Sequence, residues 1–150
     1  MGHAARKMAI RLARSDDAST LAELSTQLGY PSAAEAIGQR LARIRAEGEG
    51  EVFVAVDAGE RVIGWAHVVT RLLLEEHAFA ELAGLVVADG VRGLGVGAQL
   101  LRTAETWASE QGLAKLRVRS NVLRERAHGF YRREGYTENK RQLVFEKALR

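Results

Sequence analysis

Three glycines at alternating positions follow an arginine and lead into a run of aliphatic residues. The stretch VRGLGVGAQLL covers residues 91–101, with the glycines at positions 93, 95 and 97 behind Arg92. The first amides of a helix have no intrahelical partners and lie at its positive end, so they bind anionic oxygen atoms when no side chain obstructs them. Glycine leaves that approach open, and Arg92 adds a charge-assisted donor. The stretch predicts a phosphate or pyrophosphate site; the alternative is a tight turn with close helix packing.

The two common nucleotide-binding fingerprints are both absent from this stretch. The glycines fall as GxGxG rather than GxGxxG, and no Gly-Lys-Ser/Thr follows them. The charge distribution is nevertheless suited to an anion, because residues 111–150 hold 11 Lys and Arg against 4 Asp and Glu, a net charge of +7 (11 minus 4). No nucleic-acid-reading motif accompanies these basic residues, so we expect a small polyanionic ligand and no nucleic acid. A solvated basic face is the alternative.

Length and composition are typical of one folded domain. The chain has 150 residues, of which 47% are hydrophobic, and we expect a single domain spanning 1–150, with residues 1–8 as a flexible start. The absence of cysteine excludes disulfides, thiolate metal sites and a cysteine nucleophile, and it suits a reducing compartment, so we expect a cytoplasmic protein. We also expect no metal. No apolar run approaches the ~20 residues needed to cross a membrane, and MGHAARKM lacks the apolar stretch of a signal peptide.

Hydrophobic periodicity places the glycine stretch between a strand and a helix. The first half is predicted to contain a strand at 9–13, a helix carrying Leu21, Leu24 and Leu28, and a second helix carrying Ile37, Leu41 and Ile44. A hairpin, EVFVAV-DAGE-RVIGWAHVV, follows with Gly59 at positive φ. The second half is predicted to contain a strand at 79–87, a helix at 95–111, a strand at 115–120, a helix containing Ala127, Phe130 and Tyr131 that ends at Gly135, and two short strands around Tyr136 and at 143–145. This order predicts an α/β fold of the α+β type, a mostly antiparallel sheet of about seven strands flanked by about four helices.

The segments AELAGLVVADGVRGLGVG and RSNVLRERAHGFYRREGY resemble the cofactor-binding core of the GNAT superfamily of N-acetyltransferases in order and spacing. The family signature Gln/Arg-x-x-Gly-x-Gly/Ala is matched by Arg92, Gly95 and Gly97. The resemblance implies that the pyrophosphate of acetyl-CoA is held by Arg92, Gly93, Leu94, Gly95, Val96, Gly97 and Ala98. It also implies that the backbone of Leu85, Val86 and Val87 pairs with the pantetheine arm like a neighbouring strand, and that Asn121 and Ala127 contact that arm.

The reaction that the resemblance implies is acetyl transfer from acetyl-CoA to a primary amine, by direct attack of the neutral amine in a ternary complex. Tyr131 matches the family tyrosine that protonates the departing thiolate, although its spacing alone would also suit a core residue. An ammonium group must lose a proton to a base before it can attack. Glu81 is the candidate base, because side chains of a strand alternate between its two faces and Glu81 would share a face with Ala83 and Leu85. The alternative is that Glu81 is only a solvated carboxylate at the edge of the sheet. Many relatives have a glutamate where this chain has Ala83, and His67 is the second candidate base.

The resemblance places the amine acceptor between the first two helices and the loop that joins the third and fourth strands. The candidate acceptor residues are Tyr30, Trp65, Glu75 and Glu76. Acidic residues favour a cationic amine as the acceptor. The acceptor could be a polyamine-like or aminoglycoside-like compound, an amino-acid derivative or a protein amine.

The resemblance, since members of the family are often dimers, and the apolar residues Leu143, Val144 and Phe145 near a sheet edge together predict a homodimer. The alternative function is a noncatalytic acyl-CoA-binding or nucleic-acid-associated module, against which Tyr131 and the unbroken glycine loop both argue.

Overall fold

A five-stranded sheet forms the centre of the fold. The computed structural model describes residues 8–91 and 93–150. The strands are β1 (Ala9–Leu12), β2 (Gly50–Val56), β3 (Val62–Leu73), β4 (Glu76–Val87) and β5 (Leu116–Val118), and they lie in the sheet in that order. The first four pair antiparallel, and β5 pairs parallel to β4. The predicted mostly antiparallel sheet is confirmed.

Four α-helices accompany the sheet, as predicted. They are α1 (Ala18–Gln27), α2 (Ala34–Glu47), α3 (Val96–Glu110) and α4 (Glu125–Arg133), with short 3-10 helices at Ser15–Asp17 and Asp89–Val91. No helix in the described part of the chain is long and apolar enough to cross a membrane.

The helices α1 to α3 cover both faces of the sheet. On one face, Leu21 of α1 and Leu41 of α2 form a buried cluster with Val52, Val54 and Val56 of β2. On the other face, α3 lies so close to Gly64 of β3 that a β-carbon there would be 3.1 Å from Cδ1 of Leu100 and 3.3 Å from Cγ1 of Val96. This close packing fixes the beginning of α3 against the centre of the sheet.

The turn between β2 and β3 differs from the prediction. Glu60, rather than Gly59, has the positive φ, at 66°. Asp57 explains the difference, because its Oδ1 accepts hydrogen bonds from the amides of Gly59 and Arg61, each at 2.9 Å, while Oδ2 pairs with Nε of Arg61 at 3.0 Å. The aspartate side chain therefore organises the turn.

A bulge in β4 inverts the predicted alternation of side chains. His67 of β3 pairs with Gly84, whereas the next residue, Val68, pairs with Leu82, so Ala83 is an extra residue in β4. Paired residues of antiparallel strands share a face. Since Glu81 pairs with Val69 and Val86 pairs with Trp65, the face of Glu81 continues through Gly84 and Val86. The expectation that Glu81 shares its face with Leu85 is wrong.

The chain divides into a first compact unit that ends at Arg119 and a second compact unit, Ser120–Arg150. A single domain over 1–150 stays a prediction. The helix α4 ends at Arg133 with Glu134 as its C-cap, and Gly135, the predicted C-terminal glycine, follows with a φ of 95°. The amide of Tyr136 donates to the carbonyl of Tyr131 at 2.9 Å. No helix or strand follows Arg133 in this unit. Neither of the two short C-terminal strands that were predicted is present in the described chain, and the sheet has five strands rather than about seven.

Candidate functional site

The glycine stretch forms an open approach to the first amides of α3. Gly93 and Gly95 have φ values of 87° and 81°, and a β-carbon at either would meet no atom within 4 Å. The first backbone hydrogen bond of α3 runs from the amide of Gln99 to the carbonyl of Gly95, at 3.1 Å. No described side chain accepts a hydrogen bond from the first amides of this helix. The amides of Val96, Gly97 and Ala98 precede that bond, so they can point at an anion. Arg92 lies outside the described residues, and its predicted role stays a prediction.

The edge of β4 next to this helix lacks a strand partner. β5 pairs only with Ala80–Leu82, although β4 continues to Val87. Leu85, Val86 and Val87 pair with β3 on their other side, and no strand of the described chain lies along their free edge. Backbone groups there are suited to an extended amide-bearing ligand. The pantetheine-binding role of these three residues stays a prediction.

Trp65 and His67 converge on Gly84 at the bulge. A β-carbon at Gly84 would lie 2.7 Å from both Cζ3 and Cη2 of Trp65, so the outer edge of the indole occupies the space above the glycine, and His67 is the residue paired with it. Trp65 also packs against the cluster beneath α1 and α2. Indole Nε1 and imidazole Nε2 are both buried without a hydrogen-bond partner among the described residues. Two polar nitrogens without partners on one face of β3 are costly unless a water or a substrate group meets them.

Burial keeps the His67 side chain neutral at physiological pH. It lowers the pKa of the imidazole below the ordinary value of 6.5, and the negative charge of Glu51 offsets only part of that shift. A neutral imidazole has one nitrogen with a free lone pair. His67 is therefore chemically able to take a proton.

Glu81, in contrast, is engaged in ion pairs. Its Oε1 lies 3.1 Å from Nε of Arg119 and 3.8 Å from Nε of Arg71, and its side chain is only 14% exposed. These arginine partners were not predicted, although the alternation of Arg117 and Arg119 with Leu116 and Val118 is a signal that could have pointed to an arginine beside Glu81. A carboxylate oxygen that already accepts a guanidinium is less available for an ammonium proton.

The acceptor candidates Tyr30, Glu75 and Glu76 have different surroundings. Tyr30 is exposed in the loop after α1, and Glu75 is exposed in the turn between β3 and β4. Glu76 lies at the start of β4, where its Oε1 accepts hydrogen bonds from Arg117 at 3.1 Å and Lys115 at 3.3 Å. These bonds lower its pKa and neutralise its charge, so Glu75 is the freer of the two glutamates to attract a cation.

Tyr131 has the properties of a proton donor within the second unit. Its ring packs edge to face with Phe130, at 5.1 Å between centroids, and with Tyr136, at 5.9 Å. Burial raises the pKa of the phenol above its ordinary 10.0, although the positive charge of Arg124 opposes that shift. The hydroxyl therefore keeps its proton at neutral pH, and the ring is packed between two other aromatic rings.

The two predicted pantetheine contacts of the second unit lie close together in the chain. Oδ1 of Asn121 accepts a hydrogen bond from the amide of Leu123 at 2.9 Å, and the Asn121 carbonyl lies 2.8 Å from Nε2 of His128. Asn121 thus shapes the turn that leads into α4, whereas strand β5 has already ended at Val118. Ala127 is partly buried in the first turns of α4. No group of three or more His, Asp or Glu side chains in the described part of the chain could hold a metal ion.

Comparison with known proteins identifies the family. The model of the acetyltransferase (GNAT) family matches residues 7–136. The chain is 31% identical over 144 residues, 93% of each chain, to an aminoglycoside N(6')-acetyltransferase type 1 of Stenotrophomonas maltophilia. A shorter match, 41% identical over 69 residues, covers 46% of this chain and 44% of an aminoalkylphosphonate N-acetyltransferase of Salmonella typhimurium.

Solved structures share the fold at lower identity. An aminoglycoside 6'-N-acetyltransferase of Acinetobacter baumannii has a TM-score of 0.82 at 18% identity, covering 95% of this chain and 99% of that one. A second aminoglycoside N-acetyltransferase, in complex with CoA, has a TM-score of 0.84 at 19% identity, covering 95% of this chain and 96% of its own. The glycine-lined beginning of α3, the free edge of β4 and the family match agree with one another: the chain belongs to the acetyltransferase (GNAT) family, whose members take the acetyl group from acetyl-CoA.

Proposed function

We propose that this chain transfers the acetyl group of acetyl-CoA to a primary amine of a polycationic, aminoglycoside-like acceptor. The observation that carries this proposal is the 31% identity to the Stenotrophomonas maltophilia aminoglycoside N(6')-acetyltransferase across 93% of both chains. The exposed carboxylate of Glu75, in the turn beside the proposed acceptor site, supports a cationic acceptor. Tyr30 and Trp65 supply aromatic surface for a sugar ring, and Glu76 supplies charge only if its own ion pairs open.

The cofactor residues proposed for the first unit suit acetyl-CoA. The bound cosubstrate supplies a thioester carbonyl that an amine can attack. The first amides of α3 hold its pyrophosphate, and Arg92 donates hydrogen bonds as the charged group. Gly93, Leu94 and Gly95 form the open loop through which the pyrophosphate reaches these amides. The free edge of Leu85, Val86 and Val87 aligns the arm that carries the thioester. Asn121 and Ala127 contact the same arm.

The proton of the acceptor ammonium needs a base, and His67 is better suited to that role than Glu81. The imidazole is neutral and Nε2 has no described partner, whereas Oε1 of Glu81 already accepts Arg119. Because Nε2 is buried, we propose that a water held between Trp65 Nε1 and His67 Nε2 relays the proton. Glu81 stays the alternative base.

Tyr131 is the proposed acid. The phenol keeps its proton because burial raises its pKa, so it can donate that proton to the thiolate that leaves when the amide bond forms. The attacking nitrogen loses its proton to the base, and the products are an acetylated amine and free CoA thiol. The proposed acid and base thus take opposite protonation states at neutral pH.

The proposed assembly is a homodimer, and the proposed location is the cytoplasm. The apolar residues Leu143, Val144 and Phe145 support the dimer because they are exposed in the single chain. The absence of cysteine is consistent with a reducing compartment. A nucleic acid is not among the proposed partners, since the basic residues carry no recognition motif.

The experiment that tests the acceptor is a panel of amines assayed by release of CoA thiol. Because the chain has no cysteine, a thiol reagent reports the product without a background from the protein. The panel contains aminoglycosides with and without a 6'-amine, polyamines, amino-acid amides and aminoalkylphosphonates. We expect the highest kcat/KM for 6'-amino aminoglycosides. Faster turnover of an aminoalkylphosphonate would instead favour the second candidate, which the 41% identity over 69 residues supports.

A further inference from the structure

The outer edge of the Trp65 indole lies over the backbone of the neighbouring strand. A β-carbon at Gly84 of β4 would lie 2.7 Å from Cζ3 and Cη2 of Trp65 and 3.9 Å from Cε3. All three atoms belong to the six-membered ring, so the indole reaches from β3 across to β4. Because Gly84 has no side chain, the ring borders the main chain directly at this position.

The core of the first unit holds the indole in this position. Trp65 pairs with Val54 of β2 on one side and with Val86 of β4 on the other, and both valines are buried. The ring also packs against the cluster that includes Val52 and Leu41. A ring held by close-packed neighbours cannot move aside without disturbing them. Trp65 is therefore a rigid boundary on this face of Gly84.

Strand β5 is a second boundary, along the edge of β4. It pairs with Ala80–Leu82 and ends at Val118. In the part of the chain that the structure describes, β4 continues from 83 to 87 without a strand on that side. A ligand that lies along this stretch of edge therefore meets β5 at Leu82, just beyond Gly84.

The proposed cofactor site brings the acyl group to these two boundaries. The pyrophosphate binds the first amides of α3, which follow β4 in the chain, and the pantetheine arm runs back along Val87, Val86 and Leu85. The thioester is at the end of the arm farthest from the pyrophosphate, so it arrives beside Gly84. The acyl group then lies where the indole and the end of β5 meet.

We propose that the indole of Trp65 limits the transferred acyl group to acetyl, so that propionyl-CoA and longer acyl-CoA thioesters are poor substrates. The inference rests on the proposed function and adds the residue that selects the acyl group. Each added methylene must displace the ring or hold the thioester away from the attacking amine. One methylene in a closely fitting apolar site changes kcat/KM by about 10- to 200-fold. We expect propionyl-CoA to be at least about tenfold poorer than acetyl-CoA, and butyryl-CoA poorer still.

The first experiment removes the part of the ring that lies over Gly84. Trp65→Phe keeps an aromatic side chain, and kcat/KM is measured with acetyl-, propionyl- and butyryl-CoA and the best amine of the panel. The ratio of propionyl- to acetyl-CoA should rise at least about tenfold. Since both values come from one preparation, any loss of folded protein cancels in the ratio.

The matched control is Trp107→Phe, which shortens another partly buried tryptophan, on α3. It should leave the ratio unchanged. A ratio in the Trp65→Phe protein equal to that of the parent, or a parent protein that uses butyryl-CoA as well as acetyl-CoA, would overturn the proposal.

The second experiment needs neither an amine nor a variant. Calorimetric titration of the parent protein gives its affinities for acetyl- and butyryl-CoA, and we expect butyryl-CoA to bind at least about tenfold more weakly. Equal affinities would refute the acyl limit and leave the proposed function standing. A protein that binds no acyl-CoA at all would contradict the proposed function itself.

Discussion

The indole ring of Trp65 occupies the space that a side chain at Gly84 would fill. Cζ3 and Cη2 would both lie 2.7 Å from a β-carbon at position 84, well inside van der Waals contact. The absence of a side chain at Gly84 thus leaves room for the indole against β4, two residues along β3 from His67, the residue proposed as base. Packing and chemistry are coupled at this pair, because anything that lifts the ring also moves the proposed water site.

Gly84→Ala should lower the free energy of unfolding by roughly 1–3 kcal/mol, the usual cost of overpacking. Trp65→Leu should reduce that cost, because the smaller side chain gives way, so a double-mutant cycle should show positive coupling. The control is Gly90→Ala, where a β-carbon meets nothing within 4 Å and the change should be close to neutral. Equal effects at both glycines, measured by urea unfolding, would contradict the contact.

Gly97→Val should weaken acetyl-CoA binding about 10- to 150-fold, since losing one hydrogen bond to a charged group costs ~1.5–3 kcal/mol. Position 97 is the better test of the amide site because Gly95 has a φ of 81°, where valine would also strain the backbone. Calorimetric titration with acetyl-CoA gives the affinity, and the melting temperature reports folding. The control, Gly90→Val, lies in the 3-10 helix Asp89–Val91 that precedes α3, and it should bind acetyl-CoA normally. Unchanged affinity in a folded Gly97→Val protein would rule out the pyrophosphate site.

Tyr131→Phe separates a catalytic phenol from a packed ring. The ring contacts with Phe130 and Tyr136 persist, so stability should fall by no more than about 0.5–1.5 kcal/mol. If the phenol protonates the thiolate, kcat at saturating acetyl-CoA should fall by roughly 10²-fold, the low end for a lost general acid, because thiolates leave readily. Turnover close to that of the parent protein would return Tyr131 to a structural role.

His67→Gln and Glu81→Gln distinguish the two proposed bases. A base must be unprotonated, so kcat/KM should fall as the pH drops through the pKa of the imidazole, which burial places below 6.5. The negative charge of Glu51 raises the pKa of His67 only partly back towards 6.5, so the fall of kcat/KM should occur below that pH. His67→Gln should lower the rate by about 10²-fold and abolish this fall at low pH. Glu81→Gln should keep the fall of kcat/KM at low pH. If instead Glu81→Gln abolished this fall and His67→Gln kept it, Glu81 would be the base.

Much of this architecture is predictable from local sequence patterns, because those patterns act through neighbouring residues. The period of Ile37, Leu41 and Ile44 predicts α2, and the glycines at 93 and 95 predict the open beginning of α3. The bulge at Ala83 is not predictable in this way, because it depends on how β3 and β4 pair. The same holds for the ion pair of Glu81 with Arg119, which joins two residues 38 positions apart in the chain.

The C-terminal prediction shows a different limit. Residues 143–145 have the composition of a strand, yet no strand forms in the single chain. Strand propensity describes fitness for a pairing surface, and it does not specify which strand supplies that surface.

The most direct test of the central claim is acetylation itself. The protein is incubated with acetyl-CoA and a 6'-amino aminoglycoside, and released thiol and the mass of the aminoglycoside are followed together, with Gly97→Val protein as the matched control. We predict one acetyl group gained per thiol released, dependent on the amine and strongly reduced in the Gly97→Val protein. Thiol release that does not depend on any amine in the panel, or binding of acetyl-CoA without an acetylated product, would contradict the account and favour a noncatalytic binding module.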